Sequence, residues 1–383
     1  MESLSLYLHI PFCERKCPYC DFYSLTGSVD LQRQFVQALI TEIEIVSAKF
    51  SQNSFKVETI FFGGGTPSVL PPDEIEKIGA ALQKNFHISP EAEITLEANP
   101  GTIDQEKCQR YREIGFNRIS LGVQSFRDKA LRQLGRIHTA KEAEEAIETV
   151  RKAGCTNLSL DLIFGIPNQT PAQWEKSLRQ AVKWHPDHIS TYNLIYESGT
   201  PFWKWRRSRN LKPLDELIEW EMYQTAIRML EANGYSQYEI SNFCLPGKTC
   251  RHNQNYWNGT FYFGFGPSAH SYHSNERWWN IKNLGHYINS LKNNKMPISG
   301  KEILSRDQQK LEMIFLSLRQ KRGLSLTEYQ IRFGSHFLEE FADALQTVQN
   351  LEKETGHLLI LNRDHIYFTT KGFWMSDSIF ELF

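Results

Sequence analysis

The sequence lacks long apolar runs. The longest, such as Ile60–Phe62, extend only a few residues, far short of the roughly 20 that span a bilayer. It also lacks an excess of either charge. Its 43 Lys and Arg face 44 Asp and Glu, for a net charge of -1. That balance argues against a globally basic nucleic-acid binder. Cysteine is sparse, at seven residues in 383, and the number is odd. No basic stretch followed by an apolar one opens the sequence. A disulfide framework is therefore not expected, and a reducing cytoplasm fits better. Low-complexity linkers and short-period repeats are absent. What remains is 40% hydrophobic residues, enough for a sizeable core. The length suggests two domains, or one large α/β domain with an appendage.

Short β-rich runs alternate with segments of helical period. The runs are Leu4–Ile10, Thr59–Phe62, Ile94–Glu97, Arg118–Leu121, Leu158–Ile163 and His188–Leu194. Between them, Leu31–Phe50 carries Phe35, Leu39, Ile43 and Val46 on one stripe, with Asp30 as the expected N-cap. Gly115, Gly154 and Gly234 stand where helix C-caps belong. Six such units imply a parallel sheet with right-handed crossovers. Six is too few for a complete eight-stranded barrel, so the pattern predicts a partial barrel or a doubly wound sheet. Unusual polar residues follow the strands, at the carboxyl ends where such folds bind ligands. From about Tyr235 the text turns aromatic and rich in Gly and His. After residue 300 it turns helical and closes on a hairpin, Leu358–Leu361 with His365–Thr369, like a small winged-helix domain. The expected divisions are 1–235, 236–300 and 301–383.

Three cysteines crowd into HIPFCERKCPYCDF as CxxxCxxC: Cys13, Cys17 and Cys20. Three thiolates can hold three irons of a [4Fe–4S] cubane and leave the fourth iron open. The amino and carboxylate groups of S-adenosylmethionine can chelate that iron, and reduction of its sulfonium then releases a 5′-deoxyadenosyl radical. The alternative is a structural zinc site, which needs a fourth ligand such as His9 or a remote cysteine. FFGGGTPS, Phe61–Ser68, suits close backbone approach to a ligand, or simply a tight strand-to-helix turn. Glu97, Gln124, Arg136 and Asp161 each have an ordinary reading as capping or salt-bridged residues. Their shared register near strand ends suits a zwitterionic amino acid joined to a ribose.

Taken together, CxxxCxxC, GGGTPS, the strand-end Glu, GVQSF, GRxH and DLIFGIP resemble the radical S-adenosylmethionine enzymes of the coproporphyrinogen group. By motif the resemblance spans roughly Leu4 to Asn193. It implies a partial (β/α)6 TIM-like barrel of radical SAM type with a smaller C-terminal α+β winged-helix-like domain. It also implies that Cys13, Cys17 and Cys20 hold the cluster. Tyr7, Tyr19, Gly64, Gly65, Thr66, Glu97, Gln124, Arg136 and Asp161 would surround S-adenosylmethionine.

This group has an oxygen-independent coproporphyrinogen III oxidase branch and a heme-chaperone branch. The oxidase motif continues to a fourth cysteine, CxxxCxxCxC, where this sequence has Phe22. The oxidase also carries a longer segment before its cysteines; here 12 residues precede Cys13. RHNQNYW, Arg251–Trp257, matches the HNxxYW heme motif of the chaperone branch. His252 offers an axial imidazole, and Tyr256 and Trp257 offer flat faces. A hydrogen-bonded loop histidine among core aromatics is the plainer alternative, Cys250 competes as a thiolate, and His270 ranks second. The expected cofactors are thus a [4Fe–4S] cluster, S-adenosyl-L-methionine and heme. The expected partners are heme and heme-accepting proteins, membrane-associated ones included, with no nucleic acid and room for a homodimer. Pro201–Lys212, five basic residues interleaved with Trp203 and Trp205, reads either as a solvated loop or as a site for propionates or an acidic partner.

Overall fold

A computed structural model describes residues 1–50 and 54–383. Six strands, β1 (Glu2–Ile10), β2 (Phe55–Gly64), β3 (Ile88–Ala98), β4 (Arg118–Gln124), β5 (Leu158–Phe164) and β6 (His188–Asn193), pair in parallel in chain order. A helix or helices follow each of the first five, as a parallel sheet requires. This is the expected partial (β/α)6 barrel. In the helix Val29–Ser47, Phe35, Leu39, Ile43 and Val46 are buried as their spacing demands. Its N-cap is Ser28, whose hydroxyl accepts from the Leu31 N–H, and not Asp30. Asp30 falls inside the first turn, where its charge complements the helix dipole. β2 and β3 begin several residues before the expected apolar runs, because pairing with the start of β1 recruits polar positions of β2 such as Lys56, and Val57 of β2 in turn pairs with Ile88 at the start of β3.

The strands alternate in facing, with register shifts in β2 and β4. In β1 the even positions Leu4, Leu6 and Leu8 are fully buried in the apolar core. The odd positions form polar layers: Ser5 pairs in register with Thr59 and Thr59 with Glu93, then Tyr7 with Phe61 and Phe61 with Thr95. Glu97 and Ser120 follow at the carboxyl end. At about 3.3 Å per residue, Glu93 and Glu97 lie ~13 Å apart along the strand.

Residues 236–300 extend this sheet at both edges. β7 (Ser236–Gln237) and β8 (Asn242–Cys244) continue outside β6, with β8 antiparallel to it. β9 (Phe261–Phe265) pairs parallel with β1, and β10 (His270–His273), β11 (Glu276–Asn280) and β12 (Ile298–Ile303) follow as antiparallel strands. The result is a sheet of 12 strands. A second sheet, of β13 (Leu324–Ser325), β14 (Leu359–Leu361) and β15 (His365–Phe368), belongs to the C-terminal unit with its helices. The separateness of the two sheets is the ground on which we propose a division near residue 301. Within that unit two helices, Phe337–Glu340 and Ala342–Thr355, are divided at Phe341, whose ring lies against Phe337 and Phe383. Among the described residues, no helix is long and apolar enough to cross a membrane.

Candidate functional site

The cysteine loop leaves β1 and is held from both sides. The Cys13 N–H donates to the Leu25 carbonyl at 2.9 Å, and the Leu25 N–H to the Pro11 carbonyl at 2.8 Å. Opposite, the Gly65 N–H donates to the Ile10 carbonyl at 2.8 Å and the Thr66 N–H to the Phe12 carbonyl at 2.7 Å. This contact explains the glycine run. A Cβ on Gly65 would stand 2.6 Å from the Phe12 carbonyl oxygen, and Gly64, at φ +102°, would place one 2.5 Å from the His9 ring. The glycines thus let the end of β2 lie against the loop, while also facing the cavity beside it.

That cavity is about 410 Å³. Cys13, Cys17, Cys20 and Tyr19 are among its lining residues, as are Gly64, Gly65, Thr66, Glu97, Gln124, Arg136 and Asp161. Eleven of the residues singled out for the cluster and S-adenosylmethionine are therefore gathered around one space. Tyr7 is not among its lining residues; its hydroxyl donates to His9 Nδ1 at 3.2 Å one layer further in. All seven cysteines are free thiols. The Thr66 hydroxyl donates to Cys13 Sγ at 3.4 Å, and Arg136 donates to Cys17 Sγ at 3.7 Å. Donors aimed at sulfur fit a thiolate set, and three thiols fit three corners of a cubane. Among the described residues, no group of three or more His, Cys, Asp or Glu side chains is arranged to grip a single ion.

The acids sit in the barrel interior. Burial, and then repulsion from Asp161, pushes the Glu97 carboxyl up to about 8; the Gly64 N–H, at 3.3 Å, pulls it down. Burial also raises Asp161, opposed by hydrogen bonds from Ser190 and Ser120 and by Arg118. Two buried acids in one polar end are suited to a cationic ligand, such as an ammonium or a sulfonium. Sequence reasoning missed Asn99. Its amide donates to Thr66 Oγ1 at 2.8 Å and its oxygen accepts from Arg136. Arg136 also donates to the Gly122 carbonyl at 2.9 Å. Asn99 therefore joins the glycine turn to the arginine that faces Cys17. Its signal was its place in TLEANP, two residues beyond Glu97. Ser120 and Tyr192, which also line the cavity, face inward at even-numbered positions of β4 and β6, opposite in parity to β1, and were legible only once the register was known.

The helix Arg251–Trp257 crosses the opposite, amino-terminal part of β1–β3. Glu93 accepts from the Arg251 and His252 N–H groups at 3.1 and 3.0 Å, capping the helix with a carboxylate. Arg251 pairs with Glu58 at 2.9 Å and Asn255 donates to Ser5 Oγ at 2.9 Å. His252 is 1% exposed. Its Nδ1 lies 2.8 Å from Thr59 Oγ1, and Thr59 donates onward to Ser5 Oγ. The Nδ1 therefore carries the proton, and Nε2 accepts from the Tyr256 hydroxyl at 3.3 Å. Burial and the charge on Arg118 push its pKa down to about 3, so the ring is neutral. The Nε2 lone pair needed for an axial iron bond is in place but covered by Tyr256. Cys250 is fully buried against Glu93, and burial raises its thiol to about 12. His270 is exposed on β10, stacked on Trp279.

Beyond Tyr256 lies a second cavity of about 380 Å³, where this helix and β9–β11 meet the C-terminal helices Arg306–Leu318 and Leu326–Phe333. Tyr256, Trp257, Tyr262 and Tyr272 form aromatic walls, and Met313 and Leu316 come from the C-terminal unit. Trp257 Nε1 is buried without a partner, and Arg319 covers the ring 3.9 Å from its centre. Arg322 and Arg332 also line the cavity, and among the described residues neither pairs with a carboxylate within 4.0 Å. Arg277, by contrast, is paired with Glu302 and Glu312.

Residues 7–181 match the Radical SAM superfamily, and residues 304–375 match the HemN C-terminal domain. The sequence is 33% identical to heme chaperone HemW of Lactococcus lactis over 379 residues, covering 99% of this chain and 97% of that protein. It is 34% identical to heme chaperone HemW of Bacillus subtilis, covering 99% and 98%. Against heme chaperone HemW of Escherichia coli the identity is 40%, over 70% of each chain. Among solved structures, coproporphyrinogen III oxidase (HemN) from Escherichia coli, a radical SAM enzyme, superposes with a TM-score of 0.87 at 25% identity, covering 100% of this chain and 90% of that one.

Proposed function

The chain belongs to the HemW family of the radical SAM superfamily, and from that footing we propose that it binds heme and passes it to acceptor proteins. The observation that carries the heme reading is the aromatic cavity beside the HNQNYW helix. Its 380 Å³ falls within the range of small-molecule sites, with apolar walls and a few polar groups. A porphyrin edge would lie against Tyr256, Tyr262 and Met313. Its propionates would meet the guanidinium groups of Arg322, which donates to Asn258 Oδ1 at 2.7 Å, and of Arg332, neither of them held by a carboxylate among the described residues. His252 stays in the proposal as the imidazole behind this wall. It reaches iron once the Tyr256 hydroxyl turns aside and frees Nε2.

At the other end of the barrel, Cys13, Cys17 and Cys20 would hold a [4Fe–4S] cluster. Glu97, Asp161, Gln124 and the Gly64–Thr66 turn would hold S-adenosylmethionine, with Tyr19 closing its surroundings and Tyr7 one layer behind. When bound, the pair supplies one-electron chemistry. The protein's own part is to present three thiolates, to keep water off with Tyr19, and to meet positive charge with two buried acids.

Heme titration followed by absorbance tests the reading. Wild type is expected to saturate near one heme per chain. Tyr256→Phe should retain binding, because the ring stays and the hydroxyl cap is lost. His252→Ala should lose the axial-ligand spectrum. Equal spectra and affinities for all three proteins would remove His252 from the site. Protoporphyrinogen formed from coproporphyrinogen III by the reconstituted protein would instead support the oxidase reading that the HemN likeness also allows.

A further inference from the structure

A heme entering the cavity beside the HNQNYW helix does not meet His252 first. The His252 ring is buried, and the Tyr256 hydroxyl covers its Nε2. Tyr256 stands edge-on to both of its neighbours. Its ring centre is 5.0 Å from that of His252 and 4.6 Å from that of Tyr262. The three rings thus form one file, with the imidazole at its buried end. Tyr262 is half-buried and lines the cavity.

Strand register sets what stands beside Tyr262. Tyr262 of β9 lies opposite Tyr272 of β10, and Tyr272 lies opposite Arg277 of β11. Cross-strand partners share a face, and all three residues line the cavity. Arg277 is held in place by Glu312 at 2.6 Å and Glu302 at 3.3 Å. Burial pushes the Tyr262 hydroxyl above its ordinary pKa, with Glu312 adding to the rise, while the charge of Arg277 and a hydrogen bond from it pull the other way. A phenol beside a fixed guanidinium is a ready oxygen ligand for ferric iron, and tyrosine is a known axial ligand of heme. The other groups on these walls suit iron less. The Tyr256 hydroxyl is engaged with His252, and Glu312 is held by Arg277. Tyr272 is buried. The Trp257 indole only donates, and the Met313 thioether is a weak acceptor.

We propose that Tyr262 is the first iron ligand of the heme site: its phenolate captures ferric heme in the cavity and then yields the iron to His252. The proposal rests on the heme reading above and gives the order in which that site is filled. In the capture step, the hydroxide that ferric heme carries in water takes the phenol proton and leaves as water, and the oxygen–iron bond forms. In the hand-over step, Tyr262 and the Tyr256 ring in contact with it shift together, which uncovers His252 Nε2. The nitrogen–iron bond forms, the oxygen–iron bond breaks, and the phenolate takes a proton back from water. His252 keeps its Nδ1 proton on Thr59 throughout. The iron stays ferric, and no electron is exchanged.

The test is anaerobic stopped-flow mixing of the full-length chain with hemin, followed by absorbance and by resonance Raman spectroscopy. Wild type should show an early high-spin species with a phenolate-to-iron charge-transfer band, which decays to the imidazole spectrum. Tyr262→Phe keeps the ring and loses only the hydroxyl, so the early species should be lost. His252→Ala should stop at the early species. Resonance Raman of that end point should show phenolate modes that are absent from Y262F/H252A, a signature that a packing role for Tyr262 would not supply. An early species of wild-type amplitude and rate in Tyr262→Phe, or one lost in Tyr272→Phe instead, would overturn the assignment and leave the heme reading standing. Failure of wild type to bind heme at all would overturn both.

Discussion

Replacing Glu97 with glutamine isolates the electrostatic cost of the ligand-free barrel. In the folded chain the carboxyl titrates at about 8, against 4.5 when unfolded, first because it is buried and second because Asp161 repels its charge. Between those values the folded state holds a proton that the unfolded state has released. Stability is therefore full below about 4.5 and falls as pH rises through about 8. At ~1.4 kcal/mol per tenfold, the full difference is on the order of 5 kcal/mol. Glu97→Gln keeps the shape and removes the titration. Asp161 remains in both proteins, so most of its own pH dependence cancels in the comparison. Urea denaturation of metal-free protein, in steps from pH 5 to 8.5, should show wild type losing several kcal/mol relative to the variant. Parallel stability curves would refute the reasoning, because they would mean that the carboxyl is solvated or paired in the folded state. S-adenosylmethionine should then stabilise wild type at pH 8 more than it stabilises the variant.

Three further outcomes follow from the same geometry. Glu93→Ala orphans the Arg251 and His252 N–H groups, so it should cost about 2–4 kcal/mol in thermal denaturation and weaken heme binding. Changing Cys13, Cys17 and Cys20 together to serine should abolish iron and sulfide uptake but leave the heme titration intact, because the two sites lie at opposite ends of the barrel. Gly65→Ala places a Cβ 2.6 Å from the Phe12 carbonyl. It should lower the iron content after reconstitution by displacing the loop, with little change in far-ultraviolet circular dichroism.

Much of the barrel could be read from local pattern. Alternation within each run and helical spacing between runs are properties of neighbours in sequence, and they placed all six parallel strands within a few residues. The cap of the first helix was misplaced by two positions, because Ser28 and Asp30 are both good caps and only backbone geometry chooses between them. Cys13, Cys17 and Cys20 were legible because their spacing is itself local. Asn99 was not, because its importance lies in contacts to Thr66 and Arg136, both more than 30 residues away in sequence.

The sequence alone thus determined the strand order, the cysteine loop and the polar strand ends, since each is written within a short stretch of chain. Only the tertiary structure decided the rest. It showed that the glycine run packs against the loop, that residues 236–300 join the barrel sheet through β1 at one edge and β6 at the other, and that Tyr256 caps His252 beside a cavity shared with the C-terminal unit. Such features arise where distant segments meet, and which of them meet is settled by packing and burial of the whole chain, not by the periodicity of any one part.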